Sequence, residues 1–223
     1  MGREQDVRAR EGRAPEEHER RPDWFDERYS EPGYHYGTEP NEFLKAQRHL
    51  LRPGQKALVP GDGEGRNGVW LAEQGLEVLT FDLSSVGVEK ARRLAAGRGV
   101  SIDARVGDVR TWPWSEAHYD VIVLSFLHFP PDVGEAMHAA VWRALKPGGI
   151  VILEAFGPKQ LEMRKLGATG GPKILDHLCS VEMVRHDFPG AAFLVLEEVE
   201  VDFQGRTHNG RCSVCRAVAR KPA

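Results

Sequence analysis

The segment that decides the fold reads Ala57-Leu58-Val59-Pro60-Gly61-Asp62-Gly63-Glu64-Gly65-Arg66-Asn67. It predicts a short buried strand, three glycines at alternate positions and a helix that starts near Arg66. Glycine is favoured where a chain turns tightly and where a ligand touches the backbone. The spacing is G-x-G-x-G, and Arg66 stands where the dinucleotide fingerprint has its last glycine, which disfavours a pyrophosphate ligand and a nicotinamide oxidoreductase. We therefore expect a cofactor that contains a ribose and no phosphates, and S-adenosylmethionine is the first candidate.

The composition limits the class of protein. The 223 residues are 41% hydrophobic and 28% charged, which is typical of a soluble globular chain. The net charge of -3 gives no basic footprint for nucleic acid. No apolar run approaches the length of a membrane span, and the N-terminus lacks the apolar core of a secretory signal. Three cysteines do not make a disulfide framework, so we expect a cytoplasmic protein.

The chain divides into a tail and one domain. Residues 1–22 contain almost no large apolar side chain, and we expect a disordered or frayed charged tail there. Residues 23–223 are expected to form a single domain that begins with an N-terminal helical cap rich in aromatic side chains. Thr38 is the expected N-cap of a helix at about 40–51, with Pro40 in its first turn.

Strands and helices alternate along the rest of the domain. This α/β alternation predicts a Rossmann-like, doubly wound sheet. The sheet is expected to have seven strands, mostly parallel, with an antiparallel C-terminal edge pair. The expected strands cover residues 56–60, 77–81, 100–106, 119–125, 150–155, 193–203 and 212–219, and the expected helices cover 65–75, 85–97, 132–145 and 181–188. Residues 157–180 are expected to form a long loop that acts as a lid.

Acidic residues follow two of the strands. Open α/β sheets bind ligands beyond the carboxyl ends of their strands. Asp82 lies at the end of strand 2, at the distance from the first glycine where an acid holds ribose hydroxyls. Asp108 follows strand 3 and is placed to meet an adenine amino group. A helix cap for Asp82 and a plain turn for Asp108 are the structural alternatives.

At this point the chain resembles the class I S-adenosylmethionine-dependent methyltransferases, over about residues 23–220. The shared features are the glycine loop, Asp82-Leu83-Ser84 and Leu145-Lys146-Pro147-Gly148-Gly149. The aromatic N-terminal segment is similar to the tellurite-resistance and thiopurine methyltransferase-like group within that class; it contains Trp24, Tyr29, Gly33-Tyr34 and Tyr36-Gly37-Thr38-Glu39-Pro40-Asn41. The resemblance implies methyl transfer and does not specify a substrate.

The resemblance also implies which residues hold the cofactor. The glycine loop would approach the methionine part, Asp82 the ribose, Asp108 and Val109 the adenine, and Ser125 with Phe126 the transfer site. Tyr29 and Tyr36 are candidates to cap the cofactor or to shield its sulfonium through cation–π contact; ordinary packing is their alternative. The full set of expected cofactor residues is Tyr29, Tyr36, Gly61, Asp62, Gly63, Gly65, Asn67, Asp82, Leu83, Asp108, Val109, Ser125 and Phe126.

One position departs from the family pattern. The family usually has an acid at the end of strand 1, where this chain has Val59 followed by Pro60. That acid normally helps to organise the loop and the amino group of the methionine part. We hypothesise that Asp62 supplies the missing charge from within the loop.

Catalytic groups are less evident than binding groups. A sulfonium methyl is already electrophilic, so a base is needed only when the nucleophile arrives protonated. His128, after strand 4, is the base candidate, and Glu154, at the end of strand 5, is a second substrate-side candidate. Their structural alternatives are a strand-end polar residue and the partner of a cation.

The C-terminal part holds two further candidates. Cys212 and Cys215, with His208 and Cys179, have a spacing that suggests a metal site. However, residues 212 and 215 of a strand point to opposite faces, so we expect packing cysteines and no metal. His208 and Arg211 precede the last strand and are candidates for substrate contact.

The sequence favours a methyltransferase that acts on a small molecule, such as a thiol, a metalloid oxyanion or a similar soft nucleophile. We expect no nucleic-acid or membrane partner, and the oligomeric state is open. The alternatives are a nucleic-acid methyltransferase, although Phe129-Pro130-Pro131-Asp132 lacks the Asn/Asp-Pro-Pro-aromatic pattern, and a non-catalytic module that binds S-adenosylmethionine.

Overall fold

The computed structural model describes residues 22–223, so the expected tail over 1–22 lies almost wholly outside the described residues. The strands are β1 (Lys56–Pro60), β2 (Glu77–Asp82), β3 (Asp103–Val106), β4 (Tyr119–Ser125), β5 (Leu145–Phe156), β6 (Ala192–Gln204) and β7 (Asn209–Arg220). The α-helices are α1 (Pro22–Tyr29), α2 (Glu42–Ala46), α3 (Arg66–Glu73), α4 (Ser85–Gly97), α5 (Pro131–Ala144), α6 (Gln160–Lys165) and α7 (Val181–Asp187).

The seven strands form one sheet in the order β3-β2-β1-β4-β5-β7-β6. β1 to β5 run parallel, while β7 pairs antiparallel with both β5 and β6. The sequence-based prediction of a mostly parallel sheet with an antiparallel C-terminal pair is therefore confirmed. The strand order reverses between β1 and β4, and that switch point is where open α/β sheets place a ligand.

The two faces of the sheet are covered by separate apolar clusters. Alternate residues of β4 point to opposite faces, so Ile122 and Leu124 join one cluster with α5 and α7, and Val121 and Val123 join the other with α3. These four side chains of β4 are at most 2% exposed. A strand apolar on both faces is typical of the centre of a parallel sheet, which explains the unbroken apolar run in the sequence.

The N-cap of α2 differs from the sequence-based prediction. Asn41, and not Thr38, caps this helix, because the Asn41 side chain accepts a hydrogen bond from the Leu44 amide at 2.9 Å. The α-helix itself is short and continues as a 3-10 turn over Gln47–Leu50. The prediction identified a capping residue type but placed it three residues too early.

The segment 157–180 is more ordered than predicted. It contains α6 and a 3-10 turn at Leu175–His177. Thr169 forms an isolated antiparallel bridge with Asn209, so this segment is attached to the start of β7. β3 also starts three residues later than predicted, at Asp103. Among the residues that the structure describes, no helix is both long and apolar enough to cross a membrane.

Candidate active site

A cavity of about 410 Å³ lies beyond the carboxyl ends of the central strands. The residues after β1, β2, β3 and β4 line it together with α1, the segment 157–180 and the β6–β7 hairpin. The sequence-predicted residues that line the cavity are Tyr29, Tyr36, Gly61, Asp62, Gly63, Asn67, Asp82, Leu83, Asp108, Val109, Ser125, Phe126 and His128. The residues that follow β1, β2, β3 and β4 meet here because the carboxyl ends of these parallel strands share one edge of the sheet.

Two predicted residues are placed elsewhere. Gly65 is the N-cap of α3 and packs against Ala91 of α4, and it is not among the lining residues. Glu154 is also absent from the lining, is 3% exposed and forms an ion pair with Arg216 at 2.7 Å. Its other oxygen accepts a hydrogen bond from Asn41 at 2.9 Å. The expectation that Glu154 faces a substrate is therefore corrected: it is the partner of a neighbouring cation.

Asp82 joins the glycine loop to the next helix. Its Oδ2 accepts the Gly63 amide at 2.8 Å, and its Oδ1 accepts the Ser84 amide at 2.9 Å. A carboxylate offers about four acceptor positions, so two remain for the hydroxyls of a ribose. Burial raises the pKa of Asp82 to about 6. Asp82 thus fits the expected diol-binding role while it also shapes the loop.

Asp62 is the charged residue within the loop. Its Oδ2 accepts the Gly68 amide at 3.0 Å, whereas its Oδ1 is buried without a hydrogen-bond partner among residues 22–223. Burial raises the pKa of Asp62 to about 7. A buried acceptor without a donor is costly, and a ligand cation would satisfy it. The Ser125 hydroxyl oxygen is likewise buried without a partner among the described residues.

The glycine loop provides close access to its backbone. Gly63 has a φ of +58°, and a Cβ built there would lie 2.6 Å from the Tyr29 hydroxyl. A side chain at this position would therefore displace the tyrosine that covers the loop. The cavity thus combines the buried oxygens of Asp62 and Ser125 with the Asp82 carboxylate and a loop without side chains at its glycines. This combination fits a nucleoside that carries an amino acid, such as S-adenosylmethionine.

Asp108 lies at the cavity edge and is already paired. Its carboxylate forms an ion pair with Arg110 at 2.6 Å and accepts the Arg110 amide at 2.9 Å. Burial opposes ionisation of Asp108, but the hydrogen bonds and charge of Arg110 outweigh it and lower its pKa. An adenine amino group would have to share this carboxylate with Arg110. The adenine role of Asp108 stays a prediction.

The N-terminal cap is fixed against the cavity by Asp26 of α1. This carboxylate accepts hydrogen bonds from the Ser84 hydroxyl at 2.5 Å and from the Val86 amide at 3.2 Å, at the start of α4. The same helix supplies Phe25, Arg28 and Tyr29 to the lining. The Arg28 guanidinium donates to the Tyr36 hydroxyl at 2.9 Å. The cap roles of Tyr29 and Tyr36 remain predictions, but both rings are in place.

An aromatic wall closes the cavity beyond β4 and β5. Phe126 has a φ of +54°, a conformation that non-glycine residues rarely adopt and that recurs at functional sites. Its ring lies 4.9 Å from that of Phe156 and 4.6 Å from that of His208, between centroids. Phe203 completes the cluster. His208 was a weak candidate in the sequence, and the hairpin turn brings its ring into the wall.

His128 lines the cavity but is not placed as a base. Its Nε2 accepts the Phe156 amide at 3.3 Å, which leaves Nδ1 to donate to the His177 carbonyl at 3.0 Å. A neutral imidazole has one acceptor nitrogen, and the Phe156 amide occupies it. The geometry thus corrects the base assignment of His128, which instead ties β4 to β5 and to the segment 157–180.

The cysteines pack in two different places. Cys212 belongs to the apolar cluster around Phe156, and Cys215 belongs to the cluster on the other face of the sheet. Cys212 donates to the Thr169 carbonyl at 3.5 Å. Within residues 22–223, no three His, Cys, Asp or Glu side chains are grouped as a metal site.

Five basic residues that line the cavity are not among the sequence-predicted site residues. They are Arg28, Arg66, Arg110, Arg164 and Lys173. The sequence signal for Arg66 is that it replaces the last glycine of the dinucleotide fingerprint. Arg164 and Lys173 lie in the segment 157–180, which the sequence predicts to be a loop. Their position at the cavity follows from the tertiary structure.

Residues 57–149 match the methyltransferase domain family. This match supports an S-adenosylmethionine-dependent methyltransferase domain in this part of the chain. The cofactor expected from the glycine loop and Asp82 is thereby confirmed at the level of the family. The match covers β1 to the turn within β5, which is the part of the sheet that carries the loop and the acids.

Curated relatives act on several kinds of acceptor. The tRNA 5-carboxymethoxyuridine methyltransferase of Escherichia coli (strain K12) is 29% identical over 168 residues, covering 68% of this chain and 61% of the relative. The protein-L-isoaspartate O-methyltransferase of Methylorubrum extorquens (strain PA1) is 29% identical over 128 residues, covering 57% of this chain and 53% of the relative. The chain thus spans less than two thirds of the length of these relatives.

Solved structures share the fold. A protein from the work on conversion of a disulfide bond into a thioacetal group during echinomycin biosynthesis aligns with a TM-score of 0.70 at 21% identity, over 90% of this chain and 91% of its own. TehB from Haemophilus influenzae aligns with a TM-score of 0.65 at 17% identity, over 90% of this chain and 66% of its own. At these identities the comparison supports the fold alone.

Proposed function

We propose that the protein transfers a methyl group from S-adenosylmethionine to a small-molecule acceptor, such as a thiol, a metalloid oxyanion or a similar soft nucleophile. The observation that carries this proposal is the aromatic wall of Phe126, Phe156 and His208, which closes a cavity of only about 410 Å³. A cavity of this size, which the cofactor must share, leaves room for a small reacting group.

The chain's own residues would act by holding and orienting. When bound, S-adenosylmethionine supplies an electrophilic methyl carbon on a sulfonium. Asp82 and Asp62 would hold the ribose and the amino group, Tyr29 would cover the glycine loop, and the aromatic wall would exclude water from the line of attack. No proton transfer is assigned to His128, because the Phe156 amide occupies its acceptor nitrogen. An acceptor that arrives as an anion or a soft nucleophile needs none.

Several finer assignments belong to the same proposal. The aromatic N-terminal segment supports membership of the tellurite-resistance and thiopurine methyltransferase-like group. The composition supports a cytoplasmic protein, one domain over 23–223, and the segment 157–180 as a cover over the substrate. Arg164, Gly170 and Lys173 of that segment line the cavity, which favours the cover.

A nucleic-acid methyltransferase is the second candidate. The relative from Escherichia coli that acts on tRNA favours it. Against it stand the net charge of -3 and the absence of the Asn/Asp-Pro-Pro-aromatic pattern after β4. A non-catalytic module that binds the cofactor is the third.

The test has two stages. Calorimetry with S-adenosylhomocysteine first establishes cofactor binding, and a wild-type protein that does not bind it would end the proposal. Radiolabelled donor is then supplied with thiols, selenite, tellurite, heterocycles and bulk tRNA, with Asp82→Asn as the inactive control. Turnover of a small acceptor supports the proposal. Turnover of RNA alone favours the second candidate, and binding without any turnover, including in a ribonuclease-treated lysate, favours the third.

A further inference from the structure

The carboxylates that line the cavity within residues 22–223 all come from one part of the sheet edge. The acidic lining residues are Asp62, Asp82 and Asp108, which follow β1, β2 and β3. No carboxylate is among the lining residues contributed by β4, β5, the segment 157–180 and the β6–β7 hairpin, whereas Arg164 and Lys173 are. The part of the cavity formed by the segment 157–180 therefore has basic lining residues and no lining carboxylate, and it suits an anion.

Among the lining arginines, Arg66 is the one that lacks a hydrogen-bond or ion-pair partner within residues 22–223. The other arginines of the lining are satisfied: Arg28 by the Tyr36 hydroxyl, Arg110 by Asp108, and Arg164 by the Gly170 carbonyl at 2.7 Å. The half-buried Arg66 guanidinium makes no hydrogen bond and no ion pair with residues 22–223, although the charges of Asp62 and Glu154 act on it from beyond ion-pair distance. A partly desolvated guanidinium keeps its charge, so this arrangement is costly until an anion pairs with it.

Arg66 acts on the aromatic end of the cavity. The pKa of His208 is lowered to about 3, first by burial of the His208 ring and second by the charge of Arg66. His208 is therefore neutral and a weak base, and His128 has its acceptor nitrogen occupied. Neither histidine is suited to take a proton from an acceptor. An acceptor that enters as an anion needs no base, and it would supply the counter-charge that Arg66 lacks.

We propose that Arg66 binds a carboxylate or another oxyanion of the methyl acceptor, and that Arg164, which has further N–H donors, assists from the segment 157–180. This inference rests on the proposed function and names its substrate class. The planar fork of a guanidinium matches an oxyanion through two parallel hydrogen bonds. The methionine carboxylate of the cofactor offers the same chemistry, so the test must separate the two sources.

Calorimetry on the full chain separates them. In wild-type protein saturated with S-adenosylhomocysteine, we expect at least one of benzoate, acetate and selenite to bind. If benzoate binds, it should bind at least tenfold more tightly than neutral benzamide. Arg66→Met should lower the affinity for that anion at least tenfold and leave the affinity for S-adenosylhomocysteine within threefold of the wild-type value. Arg66→Lys should lose an intermediate amount, because it keeps the charge without the fork.

Arg211→Met is the matched control. Arg211 is paired with Glu200 on the β6–β7 hairpin, so the substitution makes the same change in net charge outside the cavity and should alter neither affinity. A thermal shift with S-adenosylhomocysteine verifies that each variant is folded, and Arg66→Gln replaces Arg66→Met if the latter does not fold.

Two results would overturn the inference. The first is that no anion binds to the saturated wild-type protein. The second is that Arg66→Met lowers the affinity for S-adenosylhomocysteine at least tenfold but leaves the affinity for the anion unchanged. The affinity for 5′-methylthioadenosine, which has no carboxylate, would then also be unchanged, and Arg66 would bind the carboxylate of the cofactor. Failure of wild type to bind S-adenosylhomocysteine is a different outcome, because it removes the proposed function itself.

Discussion

At the scale of single residues, the cofactor end of the cavity depends on one buried carboxylate. Asp62 has a buried oxygen without a hydrogen-bond partner among residues 22–223, and the chain has Val59 where the family usually has an acid. Because burial raises its pKa to about 7, Asp62 is only partly ionised at neutral pH in the free protein. A ligand ammonium would favour the ionised form.

Cofactor affinity should therefore rise with pH. Only ionised Asp62 pairs with an ammonium, and a pKa of about 7 implies about a tenfold increase in affinity between pH 6 and pH 8. Calorimetry with S-adenosylhomocysteine measures it. Asp62→Asn should bind more weakly and flatten the dependence. Asp108→Asn is the control, since Asp108 is already ionised. An unchanged affinity in Asp62→Asn would end the Asp62 hypothesis.

The neutral state of His208 is a second prediction at this scale. Burial and the charge of Arg66 lower its pKa to about 3, so its ring protons should show no titration between pH 5 and pH 8 in NMR spectra of the free protein. The chain has nine histidines, and the resonance is assigned by its loss in His208→Gln. Exposed His186 has a pKa raised by its hydrogen bond to Asp187 and serves as the titrating reference. A midpoint near 6.5 for His208 would contradict the buried placement.

At the scale of elements, the site is assembled by three pieces that close over the sheet. Asp26 of α1 is attached to the start of α4, the β6–β7 hairpin is linked to the cap by the hydrogen bond between Thr207 and His35, and the segment 157–180 is bridged to β7 at Thr169. None of these contacts is local in sequence. They hold α1, the hairpin and the segment 157–180 over the edge of the sheet, which an open sheet alone leaves exposed.

Gly170 tests the covering segment. Its φ is +102°, and a Cβ there would lie 2.6 Å from Phe156 Cζ and 2.8 Å from His208 Cδ2. Gly170→Ala should push the segment from the aromatic wall and lower turnover on the acceptor found by the screen at least tenfold, with S-adenosylhomocysteine affinity within threefold. Steady-state kinetics and calorimetry measure the two effects.

Gly167→Ala is the matched control for that substitution. Gly167 lies in the same segment with a φ of +101°, but a Cβ there would meet nothing within 4 Å. Both variants share the cost of a non-glycine residue in this conformation. Equal losses of turnover in both would show backbone strain and not a cover over the substrate.

At the scale of the whole molecule, the buried acid that serves the site reduces the stability of the free protein. The unfolded pKa of an aspartate is about 3.9, and the folded pKa of Asp62 is about 7. Between these values the folded state binds more protons than the unfolded state, so the contribution of Asp62 to the free energy of unfolding falls as pH rises.

Asp62→Asn should therefore be more stable than wild type at pH 8, by on the order of 2–4 kcal/mol, and this difference should shrink towards pH 5. Urea denaturation of the cofactor-free protein at the two pH values measures it. The difference between the two proteins removes the contributions of groups common to both, such as His208. A difference that grows at low pH would show that the carboxylate of Asp62 is stabilised by its surroundings.

The comparison between sequence and structure divides along the range of the interactions. β4 and the glycine loop were predicted within a residue, because apolar runs and turn glycines act over a few positions. Asp82 was predicted from its distance to the loop, since the β1-α3-β2 unit has a nearly fixed length. The cap of α2 was missed because Thr38 and Asn41 are both acceptable capping residues, and the packing of the chain chose Asn41.

The sheet, its ligand-binding edge and the acids that suit a nucleoside cofactor can be predicted from the amino-acid sequence, because they follow from local periodicity and from the general rules of connection in parallel sheets. Which charged groups have partners follows from the three-dimensional packing. Glu154 pairs with Arg216 across 62 positions, His128 is occupied by the Phe156 amide, and Arg66 is left without a partner among residues 22–223. Pairing of charges depends on burial and on contacts between distant strands, and neither can be predicted from the spacing of residues along the sequence.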